Sequence, residues 1–490
     1  MFRHVLCVYP YRRTASSMTS FPPLGVEYIA AALRPFAERI DLVNFRHQRT
    51  PSVLPFIRPE TDLICYSVNW PIDLDLIRRD INSLPPSLTV ILGGRTATED
   101  PGVWLKSCPN VNAVVCGDGE RAVAEIASGV AWPDVAGLSY RGPNGELVHN
   151  PPRANMPLSD ELLPARDLRR RAYHLTSKGV STGIRTDMVA GSRGCPFNCK
   201  FCSFALNPWG VKRPWASRSA ESIVREISQI NADLIFFVDD VFTHQPDRVI
   251  EICDLLIAKG IRKHYIVNAR LEIAKRPDVL RKMEQAGFLS LLIGVESTQD
   301  ATLKSMGKGF NIEQVRQHFS VLRKSKMIIN GYFILGNLGE TEEQMLSTAS
   351  FAKSLGVDLI HVSRLRCERY SGLLELVEKT PGYRIDSDGF VYSDHCSSQR
   401  IANLRKQIDR QFYRPLHVAR VVFKLMRILN WRLQAKALLT IPFFLTRLVA
   451  TQMSRKISAR LRSPAGARAA GKPSVTLPDP AGAPIRSASP

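Results

Sequence analysis

Residues 191–202 read Gly191-Ser-Arg-Gly-Cys-Pro-Phe-Asn-Cys-Lys-Phe-Cys202 and set Cys195, Cys199 and Cys202 at the spacing C-x3-C-x2-C. A loop this short can curl three thiols toward one inorganic centre. Structural zinc takes four tetrahedral ligands, usually as two pairs. Neither a histidine nor a fourth cysteine lies within twenty residues of the triplet. A cluster of four irons held by three thiolates leaves one iron open to a further ligand, and thiolates are the ligands such clusters take. The spacing favours an iron–sulfur cluster over zinc.

Outward from the loop, residues 186–365 alternate strand-like and helix-like patterns. Six strands are expected: Met188–Ala190, Leu234–Asp240, His264–Arg270, Leu289–Ser297, Met327–Gly336 and Leu359–Leu365. Helical periodicity separates them, which predicts a partial (β/α)6 barrel. Polar residues gather at the carboxyl ends of these strands: Asp239 and Asp240, Asn268 and Arg270, Glu296 and Ser297, and Asn337. In a parallel barrel that rim carries the active site, and the cysteine loop leaves the first strand at the same rim. Singly, each of these side chains could be a cap or an ion-pair partner. Their coincidence on one rim is the stronger signal.

The cysteine spacing, with the aromatic Phe201 before the last cysteine, resembles the signature of the radical S-adenosylmethionine (SAM) superfamily. Three further segments resemble its motifs in order along the chain. Phe237-Val-Asp-Asp240 is similar to the second-strand motif near the SAM amino group. Gly294-Val-Glu-Ser297 is similar to the fourth-strand motif near the SAM ribose. The segment from Gly331 to Glu340 is similar to the fifth-strand stretch that packs on adenine, with Leu338 where the family usually has proline. The resemblance implies a 4Fe-4S cluster on Cys195, Cys199 and Cys202 and SAM on its open iron. It further implies one-electron cleavage of the sulfonium to a 5′-deoxyadenosyl radical. A reductant such as flavodoxin or ferredoxin is implied as partner.

Toward the amino terminus, residues 1–150 also alternate, with expected strands at His4–Tyr9, Ile40–Phe45, Leu63–Val68, Leu88–Leu92 and Val111–Cys116. This predicts a Rossmann-like, doubly wound α/β domain, with a hairpin around Pro143-Asn-Gly145 at its end. Gly93-Gly94 and Gly117-Asp-Gly119-Glu120 follow strand ends, where a ligand can approach backbone. Pro22-Pro-Leu-Gly-Val-Glu-Tyr-Ile-Ala-Ala31 and these two turns resemble the cobalamin-binding subgroup of the same superfamily. That subgroup includes hopanoid methylases and an anaerobic oxidative cyclase of Mg-porphyrins. The cobalt-ligating D-x-H-x-x-G motif of other cobalamin proteins is absent, since Asn44-Phe-Arg-His47 does not fit it. The resemblance implies cobalamin, and with it C-methylation of a lipid or pigment-like small molecule. A radical cyclisation or another non-methylating reaction on the same parts is the alternative.

A Pro- and Arg-rich stretch, 151–185, is expected to connect the two domains, with the second running to about 395. Beyond it the character changes. Of the net charge of +21, residues 401–463 hold +13, from 14 Lys and Arg against Asp409, and the final 27 residues hold +2. Phe412–Trp431 and Ala437–Leu445 carry apolar faces among arginines and lysines, so 396–463 reads as basic amphipathic helices. Three settings compete: the surface of a membrane, a cap on the barrel, and a nucleic-acid patch, for which the basic face lacks interleaved aromatic stacking groups. Residues 464–490, with six prolines and no periodicity, are expected to be disordered.

The remaining features exclude several classes. Ten cysteines in 490 residues are no disulfide scaffold, and the seven outside the loop are expected to be buried thiols of a reducing cytoplasm. The amino terminus lacks a secretory h-region, and no apolar run reaches the roughly 18 residues of a spanning helix. An RNA-modifying enzyme of this kind would need a β-barrel module after residue 400, where helices are expected, so no nucleic-acid partner is assigned. The expected place is the cytoplasm, on the inner face of a membrane if the carboxyl-terminal helices bind there.

Overall fold

Val5, Leu6, Cys7 and Val8 are all fully buried, so β1 (Phe2–Tyr9) is the covered central strand that its unbroken apolar run implies. It pairs in parallel with β2 (Ala37–Asn44) on one side and β3 (Thr61–Ser67) on the other. β4 (Thr89–Gly93) and β5 (Ala113–Val115) continue the parallel run. β6 (Leu138–Arg141) and β7 (Leu147–His149) close it as an antiparallel hairpin. The order β2-β1-β3-β4-β5-β6-β7 reverses direction between β1 and β3, the topological switch point of a doubly wound sheet. Helices such as Leu24–Leu33 and Glu120–Ala127 cover one face. Leu74–Asn82 and Pro101–Ser107 cover the other. This computed structural model describes residues 1–12, 21–154, 157–177, 180–203, 206–207, 210–368, 371–436 and 438.

The second sheet also has seven strands, in the order β16-β15-β14-β13-β12-β9-β8. Between β8 (Tyr173–Ser177) and its antiparallel partner β9 (Val180–Val189) the chain turns back on itself. The short pair β10 (Ser192–Arg193) and β11 (Ala216–Ser217) follows. β12 (Leu234–Phe237), β13 (His264–Ala269), β14 (Phe288–Glu296), β15 (Ile328–Leu335) and β16 (Leu359–Arg364) then add in parallel. The six expected parallel strands are present in an open half-barrel, and β8 extends its edge. The stretch 151–185 therefore does more than connect: it supplies β8 and the first half of β9. β17 (Tyr383–Ile385) and β18 (Val391–Ser393) form a final hairpin.

Local signals set the helices that cover the half-barrel. Asn311 with Gln314 and Thr341 with Gln344 form capping boxes, each satisfying two otherwise unpaired backbone donors. Pro246 and Pro277 open their helices at the first position, where a missing N–H costs nothing. Gly287 ends a helix at φ +95°, with Lys263 O only 2.4 Å from where a Cβ would stand, so no other residue fits.

The carboxyl-terminal region divides. The helix Ser398–Phe412 buries Ile401, Leu404, Ile408 and Phe412 in the same core as the barrel strands, so it belongs to the barrel. The helix Pro415–Ile428 lays Leu425 and Ile428 beside Ile184, Leu234 and Leu289. Its outer side leaves Leu416 and Phe423 exposed, and Trp431 is exposed just beyond it. The run Ala437–Leu445, apart from Leu438, and everything from residue 439 to 490 lie outside the described residues. Among the described residues no helix is long and apolar enough to cross a membrane.

Candidate functional site

The cysteine loop is tied at its neck before it reaches the first thiol. Gly191 N and Ser192 Oγ donate to the two oxygens of Asp239 at 2.7 and 2.5 Å, and Asp239 is fully buried. Burial pushes that carboxyl above its ordinary pKa, while these two donors oppose the rise. Asp239, read from the sequence as a ligand contact, thus spends both oxygens on holding the loop. Gly194, at φ +80°, lies so close to Pro214 O, 2.4 Å from an added Cβ, that only glycine can turn the chain there. Further along, Lys200 N donates to Met306 O at 3.0 Å and Cys202 N to Cys199 O at 3.1 Å. Lys212 reaches Phe197 O and, at 2.7 Å, Asn198 Oδ1.

Cys195, Cys199 and Cys202 are half-buried, unlike Cys7, Cys65, Cys108, Cys116, Cys253 and Cys396, which are buried as expected. Cys367, also read as a buried thiol, is half-buried. Burial raises the Cys195 thiol above its ordinary pKa, with the backbone of Phe197 opposing, so a metal's charge is what would ionise it. Among the described residues no three His, Cys, Asp or Glu side chains converge on a single-ion site. A four-iron cluster asks for a different arrangement, one thiolate to each of three irons, on a short loop with half-exposed sulfurs. The donor set fits that cluster.

Two cations besides Lys212 flank the loop. Arg270, just past β13, stacks its guanidinium 3.6 Å above the Phe197 ring and brings Nη1 to 4.0 Å from Cys199 Sγ. Lys308, 5% exposed, places Nζ 3.2 Å from Glu296 Oε1 and 5.9 Å from the Phe201 ring centre. Phe201 itself packs among Met306, Ile334, Leu338 and Leu365. Ser297 is buried, its Oγ accepting from Gln299 N at 3.2 Å. Asn337 is buried past the end of β15; its Nδ2 donates to Ile334 O at 2.8 Å, and its Oδ1 has no hydrogen-bond partner. An orphaned buried acceptor at this strand end is what a ligand N–H donor would satisfy.

The other half of the site is a cavity of about 400 Å³ at the carboxyl ends of β3, β4 and β5, facing the half-barrel. Gly93, Gly94, Gly117 and Gly119 all line it, and Arg193, Ser203, Arg213 and Asp240 close it from the barrel side. A Cβ on Gly93 would meet nothing nearer than Val115 O at 3.8 Å, whereas one on Gly94 would strike Val68 O at 2.8 Å. Ion pairs bridge the two halves: Arg193 with Glu120, Arg213 with Asp118, and Arg95 with Glu368 at 3.3 Å. Arg95 also donates to Ser203, the neighbour of Cys202. Asp240 sits between cavity and loop, its carboxyl pushed up to about 6 by burial, with Arg213 opposing. Neither His47, whose ring lies 5.5 Å from Tyr173, nor any other described histidine lines the cavity. The glycine-walled edge fits a planar ligand with polar arms, and a whole corrinoid is larger than the cavity as it stands.

Of the side chains named from the sequence, the structure gathers Asp240 and the four glycines around this cavity. It sets Phe201, Arg270 and Glu296 by the loop. Lys308, Arg95, Arg193 and Arg213 were not among them. Their partners across the site, Glu296, Glu368, Glu120 and Asp118, are distant in sequence, so no local pattern marks the pairs.

Residues 189–352 match the family model of the radical SAM superfamily. A protein of Pyrococcus horikoshii named as an uncharacterized methyltransferase, PH0819, is 28% identical over 69% of this chain and 75% of its own length. The hopanoid C-3 methylase of Methylococcus capsulatus is 30% identical over 62% of this chain and 61% of its own. The anaerobic magnesium-protoporphyrin IX monomethyl ester cyclase of Rubrivivax gelatinosus is 25% identical over 64% and 57%. The chain thus spans only about three fifths of these last two. Among solved structures, the radical SAM methyltransferase TsrM of Kitasatospora setae, with cobalamin and a 4Fe-4S cluster bound, aligns at TM-score 0.65. It has 16% identity and covers 88% of this chain and 90% of that one. The cobalamin-dependent SAM radical enzyme OxsB aligns at TM-score 0.62 with 18% identity, over 90% of this chain and 71% of that one. At such identities the likeness is one of fold.

Proposed function

The chain carries a radical SAM domain over residues 189–352, and from that premise we propose that it is a cobalamin-dependent C-methyltransferase acting on a lipid- or pigment-like small molecule. The observation that carries the reading is the cavity: a glycine-walled ligand site opens against the flank of the cysteine loop, through Arg193 and Ser203. When bound, the cluster and SAM supply a hydrogen-abstracting radical, and a corrinoid supplies a carrier for the methyl group.

The protein's own side chains would do the rest. Cys195, Cys199 and Cys202 hold the cluster, and Asp239 fixes the loop that bears them. Asn337 Oδ1 and the Glu296–Ser297 strand end would meet SAM. Gly93, Gly94, Gly117 and Gly119 would let the corrinoid reach backbone, with Asp240 between the two ligands. The buried ends of β14 and β15 would limit water beside SAM.

The experiment is anaerobic incubation of cobalamin-loaded protein with methyl-labelled SAM and membrane or pigment extracts. Label carried into a product supports the reading. Deoxyadenosine without methyl transfer favours the second reading, a radical cyclisation or other non-methylating reaction, which the likeness to the porphyrin cyclase motivates. The membrane placement belongs to this proposal too, resting on exposed Leu416, Phe423 and Trp431 beside Arg420, Arg427 and Arg432.

A further inference from the structure

We propose that Arg270 sets the reduction potential of the centre held by Cys195, Cys199 and Cys202; this rests on the cluster reading above. Arg270 brings a cationic nitrogen to one of those sulfurs, with Nη1 at 4.0 Å from Cys199 Sγ. Its other donors are committed elsewhere. Nε and Nη2 form a two-point pair with Glu272 at 3.1 and 2.9 Å, and Nη2 also donates to Lys308 O at 2.8 Å. The guanidinium lies 3.6 Å above the ring of Phe197, which stands between the first two cysteines. Three of the five N–H bonds of the planar fork are thus committed, and the two that remain are on Nη1, the nitrogen nearest the sulfur.

A charge-assisted N–H···S contact to a ligating thiolate withdraws electron density from the metal it serves. The reduced cluster carries one more negative charge than the oxidised one, so a fixed cation favours reduction. Hydrogen bonds to the sulfurs and local charge are among the levers that set such potentials. The side chain of Arg270 is 13% exposed, so water screens the interaction little. Glu272, 39% exposed, partly cancels the charge from the far side. Its carboxylate holds a pKa below the usual range because Arg270 outweighs burial, so it stays ionised and offsets Arg270 at neutral pH. The pair is thus a potential-setting device with two opposed parts.

The test uses the full-length chain, anaerobically reconstituted with iron and sulfide and titrated with dithionite, which supplies the one electron. Reduced cluster is read by electron paramagnetic resonance. Arg270→Gln is expected to keep its iron and move the midpoint to more negative potential. Its reduced-to-oxidised ratio at a fixed potential then falls about three- to tenfold, the scale of one partly compensated charged hydrogen bond. Glu272→Gln is expected to move the midpoint the other way, and Arg270→Lys to fall between wild type and Arg270→Gln. Shifts of opposite sign are the signature. Unmoved midpoints in both Gln variants, or shifts of the same sign, overturn the proposal. So does an unmoved midpoint in Arg270→Gln with weakened SAM binding, which would make the arginine a SAM ligand. If Arg270→Gln loses its iron, Glu272→Gln decides alone, and an unmoved midpoint there overturns the idea. Wild-type protein without iron would instead remove the cluster reading on which the proposal stands.

Discussion

Nζ of Lys308 stands 3.2 Å from Oε1 of Glu296, and Glu296 ends β14 in the left-handed region at φ +77°. A side chain with a Cβ costs roughly 1–2 kcal/mol in that conformation, so something must hold it there. Both groups are buried. Removing one partner leaves the other as an unpaired buried charge. Lys308→Met is therefore expected to lower unfolding free energy by about 3–5 kcal/mol. Adding Glu296→Gln should recover a large part of that loss. Denaturant midpoints of the two single variants and the double variant measure it, and additive losses would contradict the pairing.

Loss of iron should follow the loop and not cysteine content. Cys199→Ala is expected to lose most of its iron after anaerobic reconstitution. Cys253→Ala, in a helix of the barrel core, should keep its iron and lose only core packing. An iron and sulfide assay decides. Full iron in Cys199→Ala would remove the thiol triplet as the cluster site.

The cavity and the loop can be separated by one substitution. A Cβ on Gly93 would make only an ordinary contact, with Val115 O at 3.8 Å, so Gly93→Phe should fold and fill the cavity. Bound cobalamin, read by its absorption after gel filtration, is expected to drop at least tenfold while iron is retained. Unchanged cobalamin would place the corrinoid elsewhere.

Glu340 gives the protein a pH dependence of known sign. It accepts from Gly336 N, Asn337 N and Asn337 Nδ2 at 2.9–3.1 Å, yet burial outweighs these donors and pushes its carboxyl up to about 7. The folded state then binds a proton more readily than the unfolded state. Its contribution to stability is fully present below the unfolded carboxyl pKa and is lost as pH rises to about 7. The size is on the order of 3 kcal/mol. Wild type should thus lose more stability than Glu340→Gln between pH 4.5 and 7, and parallel curves of melting temperature against pH would refute it.

Phe423→Glu with Trp431→Glu should release the chain from anionic vesicles without altering its iron content, since both side chains are exposed. Truncation at residue 400 is the wrong experiment, because it would remove Ile401, Leu404, Ile408 and Phe412 from the barrel core. Unchanged sedimentation of the double variant would argue against the membrane placement.

Much of the fold was legible because it is written in short periods. Apolar runs ended by glycine marked β4, and the order of alternation foretold both parallel sheets. β8 was missed because Tyr173-His-Leu-Thr-Ser177 is short, polar and set among arginines, and only pairing with β9 makes it a strand. The helix Ser398–Phe412 lies in the region read as helical, and its apolar residues at 401, 404, 408 and 412 decide for packing on the barrel. Cysteine spacing is a local property and was read directly. The role of Asp239, the Lys308–Glu296 pair and the ion pairs across the cavity depend on residues from about a dozen to hundreds of positions apart, which one sequence does not display.

Arg95 leaves the glycine turn after β4 and ends on Ser203 and Glu368, on the other side of the cavity. One guanidinium thus belongs to the wall of one ligand site and to the residue next to the last cysteine of the other. Any occupant that shifts Arg95 to make room alters the free energy of the cysteine loop. Thermodynamic reciprocity then requires that loading the loop alter the cavity's affinity by the same factor. The proposed occupants of the two sites are therefore expected to couple in their binding, and the order in which the protein is loaded becomes a measurable property of this one side chain.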